Sequence, residues 1–237
     1  MWDNHRNLNR VATGLYGIAA LLLVYWALIA IARLPVFPLR EIQVSGRIAH
    51  TTPEQVRAVI DGRLQGNFFT LDLEAARVSL ERLPWVRHVL VRREWPDRLD
   101  VQIEEHVALA RWRESALVNT HGELFEAATN EGLPVFSAPD GTAAEVTQRY
   151  LMFSGVLEQL GRHPVLVLLS DRGAWQLQLD NGTILELGRG PIEERVRRLV
   201  AVYPRALERV SGQPRRIDLR YSNGFAIHNG APHAPGA

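Results

Sequence analysis

The chain has 237 residues with 27 basic and 26 acidic side chains, and this even balance argues against a nucleic-acid binder, whose basic residues dominate one face. There is no cysteine, which excludes a disulfide framework and thiolate chemistry. All 27 basic residues are arginine, a side chain suited to planar, bidentate contacts with carboxylates at interfaces, although coding bias would leave the same composition.

Residues 11–32 form an uncharged run of 22 positions bounded by Arg10 and Arg33. As a helix this run is roughly 33 Å long, enough to cross a hydrocarbon core of about 30 Å. Tyr25 and Trp26 fall within two turns of its far end, the depth where amphipathic rings settle. Ala30-Ile31-Ala32 has the small residues of a signal cleavage site, but the apolar run exceeds a signal's length, so an uncleaved single-pass anchor over 11–33 is the expectation. The flanking charges balance, with Arg6 and Arg10 before the run and Arg33 and Arg40 after it. Size sets the orientation: the tail 1–10 stays inside and the large remainder lies outside.

Leu34-Pro35-Val36-Phe37-Pro38 is a stiff exit from the membrane. Ile42 and Val44 then alternate with polar residues as in a half-buried strand. Thr52-Pro53-Glu54-Gln55 predicts a helix start with a capping box, followed by an apolar stripe at Val56, Val59 and Ile60 that Gly62 ends. Asp72 caps a second helix whose inner face is Leu73, Ala76, Leu80 and Leu83, closed by Pro84. Two strands follow, with Val89 and Val91 in the first and Leu99, Val101 and Ile103 in the second, joined by a turn at Trp95-Pro96-Asp97. The order strand, helix, helix, strand, strand over 37–106 predicts a small two-layer α+β domain.

The segment 107–228 is richer in strands. Residues 117–119 and 123–125 flank a hairpin turn, and 127–145 reads as a loop. A helix is expected over 146–160, with Tyr150, Phe153, Val156, Leu157 and Leu160 inward, and the apolar run 165–169 reads as a central strand. Trp175, Leu177 and Leu179 alternate ahead of an Asn181-Gly182 turn, and 184–187 returns. Pro191 opens a long helix with Ile192, Val196, Leu199, Val200 and Tyr203 inside, which Pro204 ends or bends. Residues 216–221 form a strand with Ile217, Leu219 and Tyr221 on one face, 225–227 resumes it, and 229–237 is a disordered tail.

No catalytic constellation is present. There is no G-x-S-x-G or H-E-x-x-H motif, and the eight histidines are scattered. Glu104 and Glu105 are neighbours in a strand and point to opposite faces, so they cannot act as an acid and base pair. Gly188-Arg189-Gly190 reads as a tight strand-to-helix turn. The chain is expected to be no enzyme and to hold no metal or cofactor. A binding role rests on the end of the sheet: the strand at 216–221 comes last but for one short strand, and a terminal strand lies at or near an edge that can add a partner strand. Arg216, Asp218 and Arg220 read equally well as the charged guard of a protected edge, and the sequence leaves both readings open.

Several phrases then fall into one order. Phe68-Phe69 with Asp72-Leu73, Leu83-Pro84-Trp85-Val86, residues 91–99 (VRREWPDRL) and Val101-Gln102-Ile103-Glu104-Glu105 resemble the polypeptide-transport-associated (POTRA) domain of the FtsQ/DivIB family of bacterial cell-division proteins. Residues 108–112 (ALARW), Val118-Asn119 with residues 122–125, residues 187–190 (LGRG) and residues 217–221 (IDLRY) with Asn223-Gly224 resemble the family's β domain. The resemblance implies a membrane helix, a β-α-α-β-β POTRA domain, and a larger mixed β domain with helices on one face. It implies a non-enzymatic scaffold of the divisome in the bacterial inner membrane, with the bulk in the periplasm, enriched at the septum. It implies binding of the small coiled-coil membrane proteins FtsB and FtsL, by strand addition beside the last strands, in control of septal peptidoglycan synthesis. Carried over onto this chain, Arg220, Tyr221, Asn223 and Gly224 would belong to the contact strand, and Arg172 would meet acidic residues of the partner. Other division proteins would meet the POTRA domain. POTRA domains also occur in secretion and outer-membrane assembly factors, but those continue into a long series of barrel strands.

Overall fold

The computed structural model describes residues 5–34, 38–63, 67–207, 214–221 and 224–228. The chain divides into two compact units, Met1–Glu105 and His106–Ala237.

Unit 1 begins with helix α1 (His5–Ala32). Its segment Asn9–Ala32 has a mean hydropathy of 2.3 and none of it is buried in the protein, which fits a single-pass membrane anchor. The hydroxyl of Thr13 donates to the Asn9 carbonyl (2.8 Å), so this polar group is satisfied within the helix. Three strands follow as one sheet: β1 (Glu41–Arg47), β2 (Val86–Glu94) and β3 (Arg98–Glu105), in the order β1-β3-β2. β1 runs parallel to β3 and β2 antiparallel to it. Helices α2 (Pro53–Arg63) and α3 (Leu73–Leu80) supply the second layer.

Local chemistry sets these elements. At the start of α2, Gln55 N–H donates to the Thr52 hydroxyl and the Thr52 N–H donates to the Gln55 side chain, the reciprocal box the sequence predicts. Gly62 does not stop the helix, which runs one residue further to Arg63. The Asp72 carboxylate caps α3 by accepting from the N–H groups of Glu74 and Ala75 at 3.0 Å each. Val56, Ile60, Leu80, Val89, Leu99, Val101 and Ile103 are at most 2% exposed and form the core. Burying each of these larger side chains contributes about 1.5–3 kcal/mol. Gly46 pairs with Ile103 one position before the end of the β1–β3 ladder, at φ +126°, where a Cβ would lie 2.1 Å from the Ile103 carbonyl oxygen.

Among its described residues, unit 2 carries a nine-stranded sheet, two α-helices and a short 3-10 turn at Glu158–Leu160. The strands are β4 (Ala108–Trp112), β5 (Ala116–Asn119), β6 (Leu124–Phe125), β7 (Val135–Ser137), β8 (Pro164–Leu169), β9 (Trp175–Leu179), β10 (Ile184–Gly188), β11 (Arg216–Asp218) and β12 (Ala226–His228). Their order in space is β12-β11-β10-β9-β8-β7-β4-β5-β6. β7 is parallel to both β4 and β8, β10 is parallel to β11, and the other pairs are antiparallel. α4 (Ala143–Leu157) and α5 (Ile192–Leu207) pack together and share one core with the sheet, including Val146, Phe153, Leu157, Val196 and Leu199. This is the mixed α+β architecture that the sequence pattern and the family resemblance predict.

Further readings of the sequence change in unit 2. The segment expected to be loop contains β7, which joins β4 to β8 and buries Phe136 completely. Pro134 and Pro139 flank it, and three strand residues between prolines give no alternating signal. α4 starts at Ala143, three residues earlier than expected, behind a Thr142 that makes no side-chain cap bond. α5 continues through Pro204 to Leu207, because a single missing N–H near the end of a helix removes little of its ladder.

Candidate functional site

Of the sequence-predicted binding residues, Arg172, Arg220, Tyr221 and Gly224 gather at one end of the unit 2 sheet. Trp175 at the start of β9 is paired with Gly188 at the end of β10, and Asp218 at the end of β11 is paired with Glu186. β12 begins at this end too, since Ala226 faces Asp218. The β8–β9 turn, the β10–α5 turn and the β11–β12 connection therefore lie side by side. Neighbouring strands are about 4.8 Å apart, which places β9 about 10 Å from β11.

Arg172 is exposed in the β8–β9 turn. That turn is closed by Ser170, whose N–H donates to the Ala174 carbonyl at 2.9 Å and whose hydroxyl accepts from the Ala174 N–H at 3.0 Å. Among the described residues Arg172 makes no ion pair, and its side chain is exposed to solvent.

Arg220 follows β11 and is tied back to Asp218. Its Nε donates to Asp218 Oδ1 at 2.9 Å, its Nη2 to Oδ2 at 2.6 Å, and its backbone N–H to Oδ1 at 3.0 Å. The Arg220 guanidinium holds the Asp218 carboxyl below the usual carboxylate range against the upward push of burial, and the Arg220 pKa is raised in return. The aliphatic stem of Arg220 lies over Gly188, where a Cβ would come within 2.9 Å of Arg220 Cγ. Gly188 has φ +64°, so the turn into α5 needs glycine twice over, for backbone shape and for this contact.

Arg195 on α5 fastens the same region. Its Nη1 donates to the carbonyls of Leu187 and Arg189, and its Nη2 reaches the Arg220 carbonyl at 3.5 Å. The end of β10, the turn and the residue after β11 are thus held by one planar cation. Tyr221 comes next, with its ring 58% exposed. Gly224 is half-buried, and a Cβ there would meet nothing within 4 Å, so the chain's own packing does not require glycine at this position. Asn223 lies outside the described residues, as does the tail 229–237.

The open backbone is on β12. β11 is flanked on both sides, by β10 and β12, over all three of its residues. Residues 219–221 have left the strand, although the Leu219 N–H still donates to the Glu186 carbonyl at 2.9 Å. β12 is outermost. The His228 carbonyl accepts from the Arg215 N–H (3.2 Å) and so faces β11. In an antiparallel strand alternate residues direct both backbone groups to the same side, which leaves the N–H and C=O of Ile227 facing outward. The charges read as an edge guard are partnered within the sheet: Arg216 with Glu186 at 3.8 Å and Asp218 with Arg220. The sequence reading did not single out Arg195 or Ile227, and it named Gly188 only as part of the tight turn between strand and helix. The short run Phe225-Ala226-Ile227 carried the signal for the outer strand, but a three-residue strand does not reveal its neighbours.

Comparisons with known proteins agree with this architecture. A family model described as "POTRA domain, FtsQ-type" matches residues 37–106, and one described as "Cell division protein FtsQ/DivIB, C-terminal" matches residues 110–220. The chain is 44% identical to the cell division protein FtsQ of Nitrosospira multiformis over 231 residues, covering 95% of this chain and 98% of that one. It is also 44% identical to the FtsQ of Burkholderia pseudomallei over 240 residues (96% and 94% covered), and 36% identical to that of Bordetella pertussis over 252 residues (96% and 92% covered). With both family regions matched in order over most of its length, the chain belongs to the FtsQ/DivIB family of bacterial cell-division proteins.

Proposed function

We propose that this protein is a non-enzymatic scaffold of the divisome that binds FtsB and FtsL by adding a partner strand to β12. In this reading α1 holds it in the inner membrane with residues 1–10 inside. The POTRA domain (37–106) and the β domain (107–228) lie in the periplasm at the septum, and the complex helps control septal peptidoglycan synthesis. The observation that carries the reading is the outermost position of β12, with the backbone of Ile227 turned outward.

The neighbouring residues suit such a contact. Main-chain hydrogen bonds to Ile227 supply affinity, and side chains beside the strand supply selectivity. Tyr221 offers a rigid, exposed ring with little entropy to lose. The open space at Gly224 allows a second backbone to come close. Arg172 stands at the same end of the sheet as an electrostatic guide for acidic partner residues. Arg220 contributes mainly by holding the connection in place, because its guanidinium is committed to Asp218.

The test is co-purification of FtsB and FtsL with variants of the full chain. Ile227→Pro removes an outward N–H while leaving the bonds of β12 to β11 on the other side, and Tyr221→Ala removes the ring. Both variants are expected to fold, by circular dichroism, and to recover much less of the two partners. Full recovery by a folded Ile227→Pro protein would remove β12 from the interface.

A further inference from the structure

We propose a second contact surface, on unit 1: the end of the POTRA domain nearest α1 rests on the bilayer, with the Trp95 ring inserted among the lipid headgroups. Trp95 sits between β2 and β3 and is 80% exposed, more than any large apolar side chain described along the membrane helix itself. A Trp this exposed has found no place in the protein's own core, and its ring suits the boundary between headgroups and acyl chains.

The fold puts this ring beside the membrane. The Arg40 N–H donates to the Asp97 carbonyl at 2.9 Å, and Glu41 pairs with Arg98, so the tip of the β2–β3 hairpin adjoins the chain just after it leaves α1. Eight residues separate Ala32 from Arg40, a reach of at most about 28 Å. The loop before α3 closes the distance. The Asn67 amide donates to the carbonyls of Ala32 (2.6 Å) and Leu34 (2.7 Å), which the end of α1 cannot satisfy by itself. Its oxygen accepts from the N–H groups of Phe69 and Thr70, both at 3.0 Å, and the residue is 7% exposed. Arg93 of β2 donates to the carbonyls of Phe68 and Leu71 and binds the same loop to the hairpin. Helix end, loop and hairpin thus form one hydrogen-bonded patch, on which Phe69 and Leu34 are each 46% exposed.

Charge does not drive the contact. Arg40 pairs with Asp97 at 3.8 Å and Arg98 with Glu41 at 3.0 Å, and the Arg93 guanidinium donates to backbone carbonyls of the loop, so these three cations already have partners within the domain. The aromatic rings carry the affinity, and the contact depends little on anionic lipid or on salt.

The absence of cysteine in the chain allows a direct test. A single nitroxide is attached through Glu94→Cys, beside Trp95, and a reference nitroxide through Gln102→Cys on the exposed side of β3. The full chain is reconstituted in vesicles of phosphatidylethanolamine and phosphatidylglycerol. Accessibility is read with a water-soluble nickel chelate and with oxygen, which partitions into lipid. The label at position 94 is expected to be several-fold less accessible to nickel than the label at position 102. Trp95→Ser in the same background is expected to abolish that difference, and added salt or omission of the anionic lipid to change it less than twofold. A label at position 94 as open to nickel as the reference, with Trp95 present, overturns the proposal, whether or not an added protein then covers it. Protection that survives Trp95→Ser equally overturns the role given to the ring.

Discussion

Two carboxylates are held by groups that the sequence places far from them or gives no reason to notice. Glu105, at the end of β3, is pushed up by burial. The Thr51 hydroxyl and the N–H groups of Ala49 (2.8 Å), His50 (3.1 Å) and Thr51 (2.6 Å) outweigh that push and hold its pKa below the usual range. Glu105→Gln leaves these donors with a poorer acceptor and is expected to cost about 1–3 kcal/mol of unit 1 stability, read from urea unfolding. Asp218 is the second case. Its folded pKa is lowered, so its contribution is fully present above the unfolded value of about 3.9 and is lost as pH falls through the lower folded value. Asp218→Asn is therefore expected to destabilise unit 2 by about 1–2 kcal/mol near pH 6, a figure kept small because the Arg220 side chain is 62% exposed to solvent. The gap between the two proteins narrows below about pH 4, which urea midpoints measured from pH 6 to pH 2.5 would show.

At the scale of elements, caps and close approaches decide where helices start and strands pair. Asp72→Ala removes two bonds from the first turn of α3 and is expected to cost about 1 kcal/mol, measured by the same unfolding. Gly46 and Gly224 make a contrast. Gly46→Ala drives a Cβ into the Ile103 carbonyl and is expected to break the end of the β1–β3 pairing, with a fall in melting temperature and loss of amide protection in β1. Gly224→Ala meets nothing among the described residues and is expected to leave the melting temperature unchanged while weakening recovery of the partner proteins. The edges follow the same economy of length. The nine-stranded sheet ends on the two residues of β6 and the three of β12, short enough to limit unwanted pairing.

For the whole molecule, the two units have cores with no residue in common. Leu80→Ala in the first and Leu199→Ala in the second each empty a fully buried site and are expected to cost about 2–5 kcal/mol. With no shared partners the two losses are additive, and each lowers the unfolding transition of its own unit, which scanning calorimetry of the double and single variants would resolve.

The sequence by itself determined the anchor, the order of elements and most of the core faces. These depend on local quantities: an uncharged run long enough to span, a capping residue, an apolar stripe at helical or alternating spacing. It also carried the family, because ordered phrases such as residues 91–99 and 217–221 persist along the chain. The tertiary structure alone decided which backbone is open. Residues 216–221 read as the terminal strand, yet β11 is enclosed and β12 is outermost, since strand order comes from pairing between distant segments that no local period encodes. It alone tied Arg220 back to Asp218, brought Arg195 to carbonyls at the end of β10, in the turn after it and just past β11, and joined the hairpin that carries Trp95 to the chain that follows α1. Some of these contacts join residues far apart in the chain and others near neighbours, but none follows from a local period, and only the closed fold sets their geometry.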